Sequence, residues 1–181
     1  MLNEIKQVEA DAICLYNADQ LETALDNMAS AISEKLQNSN PLVLCVINGG
    51  IITTGKLLPR LRFPLTMDSV QATRYRNATT GSDVHWLYQP STALTGRTIL
   101  IVDDILDEGH TLAAIIEWCK EQGATAVYSA VLLEKQLEQS KPVAADFVGL
   151  EVANHYLFGF GLDYKGYLRN ANGIFACKEI L

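Results

Sequence analysis

With 181 residues, 49% of them apolar and 19% charged, the chain has the length of one domain and the composition of a folded protein with a sizeable core, so general disorder is excluded. Lys and Arg number 14 against 21 Asp and Glu, for a net charge of -7, which argues against sequence-independent nucleic-acid binding because that affinity comes from cations neutralising phosphates. Four cysteines, Cys14, Cys45, Cys119 and Cys177, form no C-x-x-C pair, and no apolar run reaches the ~18 residues of a membrane span, so the chain reads as cytoplasmic with reduced thiols and no membrane partner.

In chain order, Asn17 and Gln20 form a capping-box pattern, and Leu21, Leu25, Met28, Ile32 and Leu36 follow at helical spacing. Residues 42–47 are a continuous apolar run ending at Asn48-Gly49-Gly50, the pattern of a buried parallel strand. A helix is expected over 51–61, strands over 63–75 and 84–88, and a small polar loop over 77–82 between them. The clearest unit is a buried strand over 98–102, a loop over 103–110, and a helix over 111–122 closed by Gly123. Residues 126–133, 147–152, 156–160 and 174–177 read as further strands. Strands alternating with helices imply an α/β fold with a central, mostly parallel sheet flanked by helices. The terminal segments are left to form a small hood or flap, and residues 1–181 read as one domain.

Two local patterns carry less than they first suggest. Residues 56–76 hold Lys56, Arg60, Arg62, Arg74 and Arg76 against Asp68 alone, a basic patch that is either a solvated helix face or a means of drawing an anion or a partner subunit. Gly50 to Lys56 matches the phosphate loop of nucleotide hydrolases, but Leu57 stands where a hydroxyl must hold magnesium, so a structural helix is the stronger reading. The three histidines also lack zinc-ligand spacing.

Asp103, Asp104 and Asp107 are different. Three carboxylates within five residues repel one another, and they fall at the carboxyl end of a strand, where α/β sheets bind ligands. A cation or a polyhydroxylic ligand would relieve the repulsion. Glu108-Gly109-His110-Thr111 then enters a helix, whose free amides and positive dipole end suit a phosphate. Carboxylates for sugar hydroxyls beside amides for phosphate describe a ribose 5-phosphate pocket.

Residues 99–112 resemble the phosphoribosyl pyrophosphate (PRPP) signature of type I phosphoribosyltransferases. Ile47-Asn48-Gly49-Gly50, Leu132-Leu133-Glu134-Lys135, residues 146–151, residues 156–164 and Arg169 are similar, in order, to segments of the hypoxanthine-guanine phosphoribosyltransferases. The resemblance implies that Asp103 and Asp104 hold the ribose hydroxyls directly or through Mg2+, with Asp163 helping to hold the metal. It implies that Asp107 exchanges a proton at purine N7, and that Glu108, Gly109, His110 and Thr111 bind the 5-phosphate. Asn48, Gly49 and Arg169 would bind pyrophosphate. Lys135 would donate to the 6-oxo group, Tyr156 would stack on the base, and the Leu157 backbone would meet its 2-position. Thr73, Arg74 and Tyr75 would belong to a lid over the reaction centre. Three positions depart from the family pattern: Asn48 replaces Lys or Arg, Glu108 replaces Ser or Thr, and Arg74-Tyr75 replaces Ser-Tyr.

The implied activity is Mg-dependent purine salvage, in which PRPP and hypoxanthine or guanine give the nucleoside 5-monophosphate and pyrophosphate. A homo-oligomer, dimer or tetramer, is implied as well. The rival is a regulator that keeps the fold to sense PRPP or nucleotide. Retention of Asp107, Lys135 and Asp163 favours the enzyme.

Overall fold

Strand β2 (Leu42–Val46) is buried along its whole length because it lies at the middle of a sheet covered on both faces. The computed structural model describes residues 1–74 and 84–178. Helix α1 (Leu2–Asp11) and strand β1 (Ile13–Asn17) come first, then α2 (Ala18–Leu36), β2, α3 (Gly50–Leu57) and a 3-10 turn at Leu58–Arg60. After them come β3 (Thr66–Arg74), β4 (Val84–Tyr88), β5 (Thr98–Leu106), α4 (His110–Glu121), β6 (Ala126–Lys135), β7 (Phe147–Val152), β8 (Leu157–Phe158) and β9 (Gly173–Ala176).

The main sheet has the order β4-β3-β2-β5-β6-β7, parallel throughout except for the antiparallel edge strand β4. Alternate residues feed two cores: Val43, Leu100 and Val102 pack towards α2, whereas Leu42, Leu44, Ile99 and Ile101 pack towards α4. Helix α2 buries Leu21, Leu25, Met28, Ile32 and Leu36, as the helical spacing requires. Its capping box is formed, with Gln20 N donating to Asn17 Oδ1 and Asn17 N to Gln20 Oε1, each at 3.0 Å. A second sheet, β1-β9-β8, is antiparallel and joins the two terminal segments into the hood. At the far edge of the main sheet Trp86 of β4 packs on Trp118 of α4, with ring centroids 5.0 Å apart. Among the described residues no helix is long and apolar enough to cross a membrane.

Several boundaries differ from expectation for identifiable reasons. The helix expected over 51–61 ends at Leu57, because Pro59 has no amide to donate and tightens the chain into the 3-10 turn. Strand β3 starts at Thr66 rather than residue 63, after Pro64, which likewise cannot join a ladder. Strand β5 runs on to Leu106, so Asp103 and Asp104 lie in a strand rather than a loop; Asp103, Ile105 and Leu106 still pair with Val131, Leu133 and Glu134. The strand expected over 156–160 shrinks to Leu157–Phe158, since Gly159, Phe160 and Gly161 all have positive φ and turn the chain. The expected loop over 77–82 lies outside the described residues.

Two members of the basic patch, Lys56 and Arg60, are engaged by acids of α2. Lys56 Nζ pairs with Glu22 at 2.6 Å, and Arg60 pairs with Glu22 and, at 2.6 Å, with Asp26. These pairs tie α3 and the 3-10 turn to α2. Lys56 therefore takes no part in a phosphate loop.

Candidate active site

The strand order reverses between β2 and β5, since the chain steps from β2 to β3 on one side and β5 lies on the other. Ligands of open α/β sheets bind outside the carboxyl ends of the strands at such a point. Here β2 leads into Ile47-Asn48-Gly49, whose Ile47–Asn48 peptide is cis, and β5 carries Asp103 and Asp104 near its carboxyl end, ahead of Asp107. A cavity of about 300 Å3 opens between them, lined by Gly49, Asp103, Asp104, Asp107, residues 108–111 and Arg169. A second cavity of about 290 Å3 shares Asp104, Ile105 and Asp107 with the first and adds Lys135, Tyr156, Leu157 and Asp163. The two halves thus meet along the end of β5.

Glycines allow the close approach. A Cβ on Gly49 would lie 2.0 Å from Asp104 Oδ2, and one on Gly161 would lie 2.1 Å from Gly49 O. Gly49 in turn lines the first cavity beside Asp104, so backbone rather than side chain faces the ligand space there.

The acids are held in an unfavourable setting. Asp103 Oδ1 accepts from the Asp104 amide at 2.9 Å, and Asp104 is only 9% exposed. Burial and the adjacent Asp104 carboxylate push the Asp103 carboxyl well above the usual carboxylate range. Burial raises Asp104 too, although its bond with Asp103, the Ile105 amide and the Arg169 charge draw it back. Such a pair calls for cations or hydroxyl donors.

On the first cavity's side, Gly109 takes φ +84 at the N-cap of α4 and offers no capping side chain. The first amides of α4 therefore have neither an intrahelical acceptor nor a side-chain cap, and they border the first cavity at His110 and Thr111. Arg169 reaches this space while its guanidinium donates to Gly161 O at 2.6 Å and pairs with Asp163 Oδ1 at 2.6 Å. Asp163 Oδ2 also accepts from the Gly166 amide at 2.6 Å, closing the turn that separates the two residues.

On the other side, Lys135 Nζ lies 2.7 Å from Asp107 Oδ2, with the lysine side chain 12% exposed. Tyr156 is 56% exposed at the mouth and meets Tyr164 edge to face at 5.5 Å, while Leu157 is buried and pairs with Ala176.

Most of the expected site residues are therefore brought together. Asn48 is not: it is exposed and lines neither cavity, and its carbonyl accepts from the Ile51 amide at 3.3 Å. Thr73 is exposed on β3, Arg74 is the last residue of that strand, and Tyr75 lies outside the described residues. Asp103, Asp104 and Asp163 do not form one ligand set, since among the described residues no group of three or more His, Cys, Asp or Glu is placed to hold a metal. The sequence reading passed over Gly161, which the Gly159-Phe160-Gly161 spacing could have marked as a turn. It also passed over Lys141, which no local pattern marks.

The phosphoribosyl transferase domain family matches residues 15–165. The chain is 29% identical to the hypoxanthine-guanine phosphoribosyltransferase of Bacillus subtilis, over 86% of this chain and 87% of that one. It is 31% identical to the bifunctional protein TilS/HprT of Listeria innocua over 94% of its own length, and it spans about a quarter, 26%, of that longer relative. Among solved structures, a hypoxanthine-guanine-xanthine phosphoribosyltransferase superposes with a TM-score of 0.85 at 26% identity, covering 94% of this chain and 99% of the other. The family match takes in all six strands of the main sheet and the whole of α4, and on that ground the chain belongs to the phosphoribosyl transferase domain family.

Proposed function

We propose that the protein is a purine salvage enzyme that converts PRPP and a 6-oxopurine, hypoxanthine or guanine, to the nucleoside 5-monophosphate and pyrophosphate. The observation that carries this is the pair of cavities meeting along Asp104 to Asp107, one against the N-terminus of α4 and the other against Lys135 and Tyr156. A ribose laid across the shared residues would place its 5-phosphate on the amides at residues 108–111 and its anomeric carbon towards the base. Relatives that carry the hypoxanthine-guanine name along nearly their whole length support the choice of base.

The base edge fits the charges. A 6-oxopurine protonated at N7 presents an acceptor and a donor side by side, matching the ammonium of Lys135 and the carboxylate of Asp107. As N9 forms its bond to the anomeric carbon and the bond to pyrophosphate breaks, Asp107 takes the N7 proton, so the base does not gain positive charge. Tyr156 would cover the ring. Arg169, released from Asp163, would meet the departing pyrophosphate, and backbone amides at Gly49 would add donors there. Asp103 and Asp104 would hold the ribose hydroxyls.

Magnesium fits this donor set. Two adjacent carboxylates raised by burial are eased by a cation, and with no protein group of three ligands among the described residues the remaining oxygens would come from substrate and water. Asp103 and Asp104 would hold one ion and Asp163 would help hold another, and bound magnesium would neutralise charge on the leaving pyrophosphate. The proposal extends to residues 1–181 as one catalytic unit acting in the cytoplasm as a dimer or tetramer.

Purified protein with PRPP and magnesium, offered hypoxanthine, guanine, xanthine and adenine in parallel, tests the reading. Pyrophosphate release with hypoxanthine or guanine and little with adenine is expected. Folded protein that binds PRPP but turns over none of the bases would point to the sensor instead.

A further inference from the structure

Lys141 is an ammonium 11% exposed whose three donors are all taken at the ends of two strands. It donates to Lys135 O at 2.6 Å, to Leu106 O at 3.1 Å and to Glu134 Oε1 at 3.2 Å. The ladder between β5 and β6 stops at Leu106 opposite Glu134, so beyond that point the backbone no longer joins the strands. The Leu106 carbonyl belongs to the peptide leading into Asp107, and the Lys135 carbonyl to the peptide leading out of Lys135. One side chain thus grips the peptide planes beside both members of the Lys135–Asp107 pair.

The stem of Lys141 also backs the turn into α4, since a Cβ on Gly109 would sit 3.4 Å from Lys141 Cβ and 3.4 Å from Pro142 Cδ. Water can satisfy carbonyls at a strand end, whereas burying a charge is costly. A buried lysine here is therefore better explained by a need for order in the pair than by fold stability.

We propose that Lys141 is a positioning residue for base recognition: it fixes the spacing of Lys135 and Asp107, and through them the preference for a 6-oxo over a 6-amino purine. The inference rests on the purine reading of the site. It assigns to Lys141 no contact with substrate.

The test compares wild type with Lys141→Met, Lys141→Gln and Lys141→Arg in steady state with hypoxanthine and adenine, varying PRPP separately, after thermal melts have identified the folded variants. Lys141→Met keeps the stem against Gly109 and loses the donors. It is expected to lose about 10- to 100-fold in kcat/KM for hypoxanthine, the scale of a small misplacement of reacting groups, with a reduced hypoxanthine-to-adenine ratio and an unchanged KM for PRPP. Lys141→Arg, which keeps charge and donors, should recover most of the ratio. Lys141→Gln should fall between them, and it carries the comparison if the Met variant does not fold. A folded neutral variant with wild-type hypoxanthine KM and base ratio, or a loss shared equally by PRPP and base, overturns the proposal. Wild-type protein inactive with every base would instead overturn the purine reading itself.

Discussion

Lys135 and Asp107 face each other across the carboxyl ends of β6 and β5 as an ion pair 2.7 Å apart, with Asp107 lining both cavities and Lys135 the second. On the purine reading proposed above, a base would insert its polar edge between them, and the pair would serve as a template of one donor and one acceptor.

Removing the donor tests the template. A hydrogen bond to a charged group contributes roughly 1.5 to 3 kcal/mol, so Lys135→Met is expected to lower hypoxanthine kcat/KM by about 10- to 150-fold. Discrimination against adenine should shrink as well, because the ammonium that faces its amino group is gone. Steady-state kinetics with both bases measure this, and an unchanged ratio would show that Lys135 does not read position 6.

Asp107→Asn keeps the size of the acceptor and removes its capacity to take a proton. General acid-base steps contribute about 100- to 10,000-fold, so kcat should fall on that scale while PRPP affinity is largely kept. Rapid-quench turnover alongside PRPP titration separates the two, and near-normal turnover would remove Asp107 from the proton path.

Asp103→Asn should weaken PRPP binding and yet stabilise the fold. The folded chain holds a proton on the Asp103–Asp104 pair more tightly than the unfolded chain does. That contribution is full below the unfolded carboxylate value of about 4 and is lost as pH rises through the raised folded values, so at pH 7 the pair is a liability. In protein stripped of divalent cations, Asp103→Asn is expected to gain about 1 kcal/mol, or roughly 2 to 4 °C in Tm at pH 7, with the gain vanishing in acid. Melts at pH 4 and pH 7 provide the check, and a loss of stability at pH 7 would contradict it.

Asp68 should behave in the opposite sense. Burial works against its charge, but the Thr92 hydroxyl and amide, the Ser69 amide and the Ser91 hydroxyl donate to it and hold it below the usual range. Its stabilisation is present above the unfolded value of about 4 and fades as pH falls through the lowered folded value. Asp68→Ala is expected to cost about 2 kcal/mol at pH 7 and less in strong acid, measured by urea unfolding across that range. A cost independent of pH would exclude the carboxylate as its source.

Elements with strong local patterns were legible in the sequence: the capping box at Asn17, the apolar run of β2 and the helix closed by Gly123, which takes φ +83. Helix α1 escaped because it buries Ile5 alone, which leaves no stripe to recognise, and β1 is read only through its pairing with β9 at the other end of the chain. Asp103 and Asp104 read as loop residues because their polarity masks a strand that β6 continues to pair. Gly161 and Lys141 owe their importance to contacts with Gly49 and Leu106, distant in sequence, and local pattern does not carry that information.

The chain's two tryptophans are the ones that meet between β4 and α4, so all indole emission originates from one junction. That junction joins the edge strand β4 to the helix whose other end borders the first cavity. The protein therefore carries an intrinsic indole probe at one place, and a label-free titration with PRPP, with selective excitation of tryptophan, can follow by a change in fluorescence whether filling the cavity moves the helix against the sheet edge.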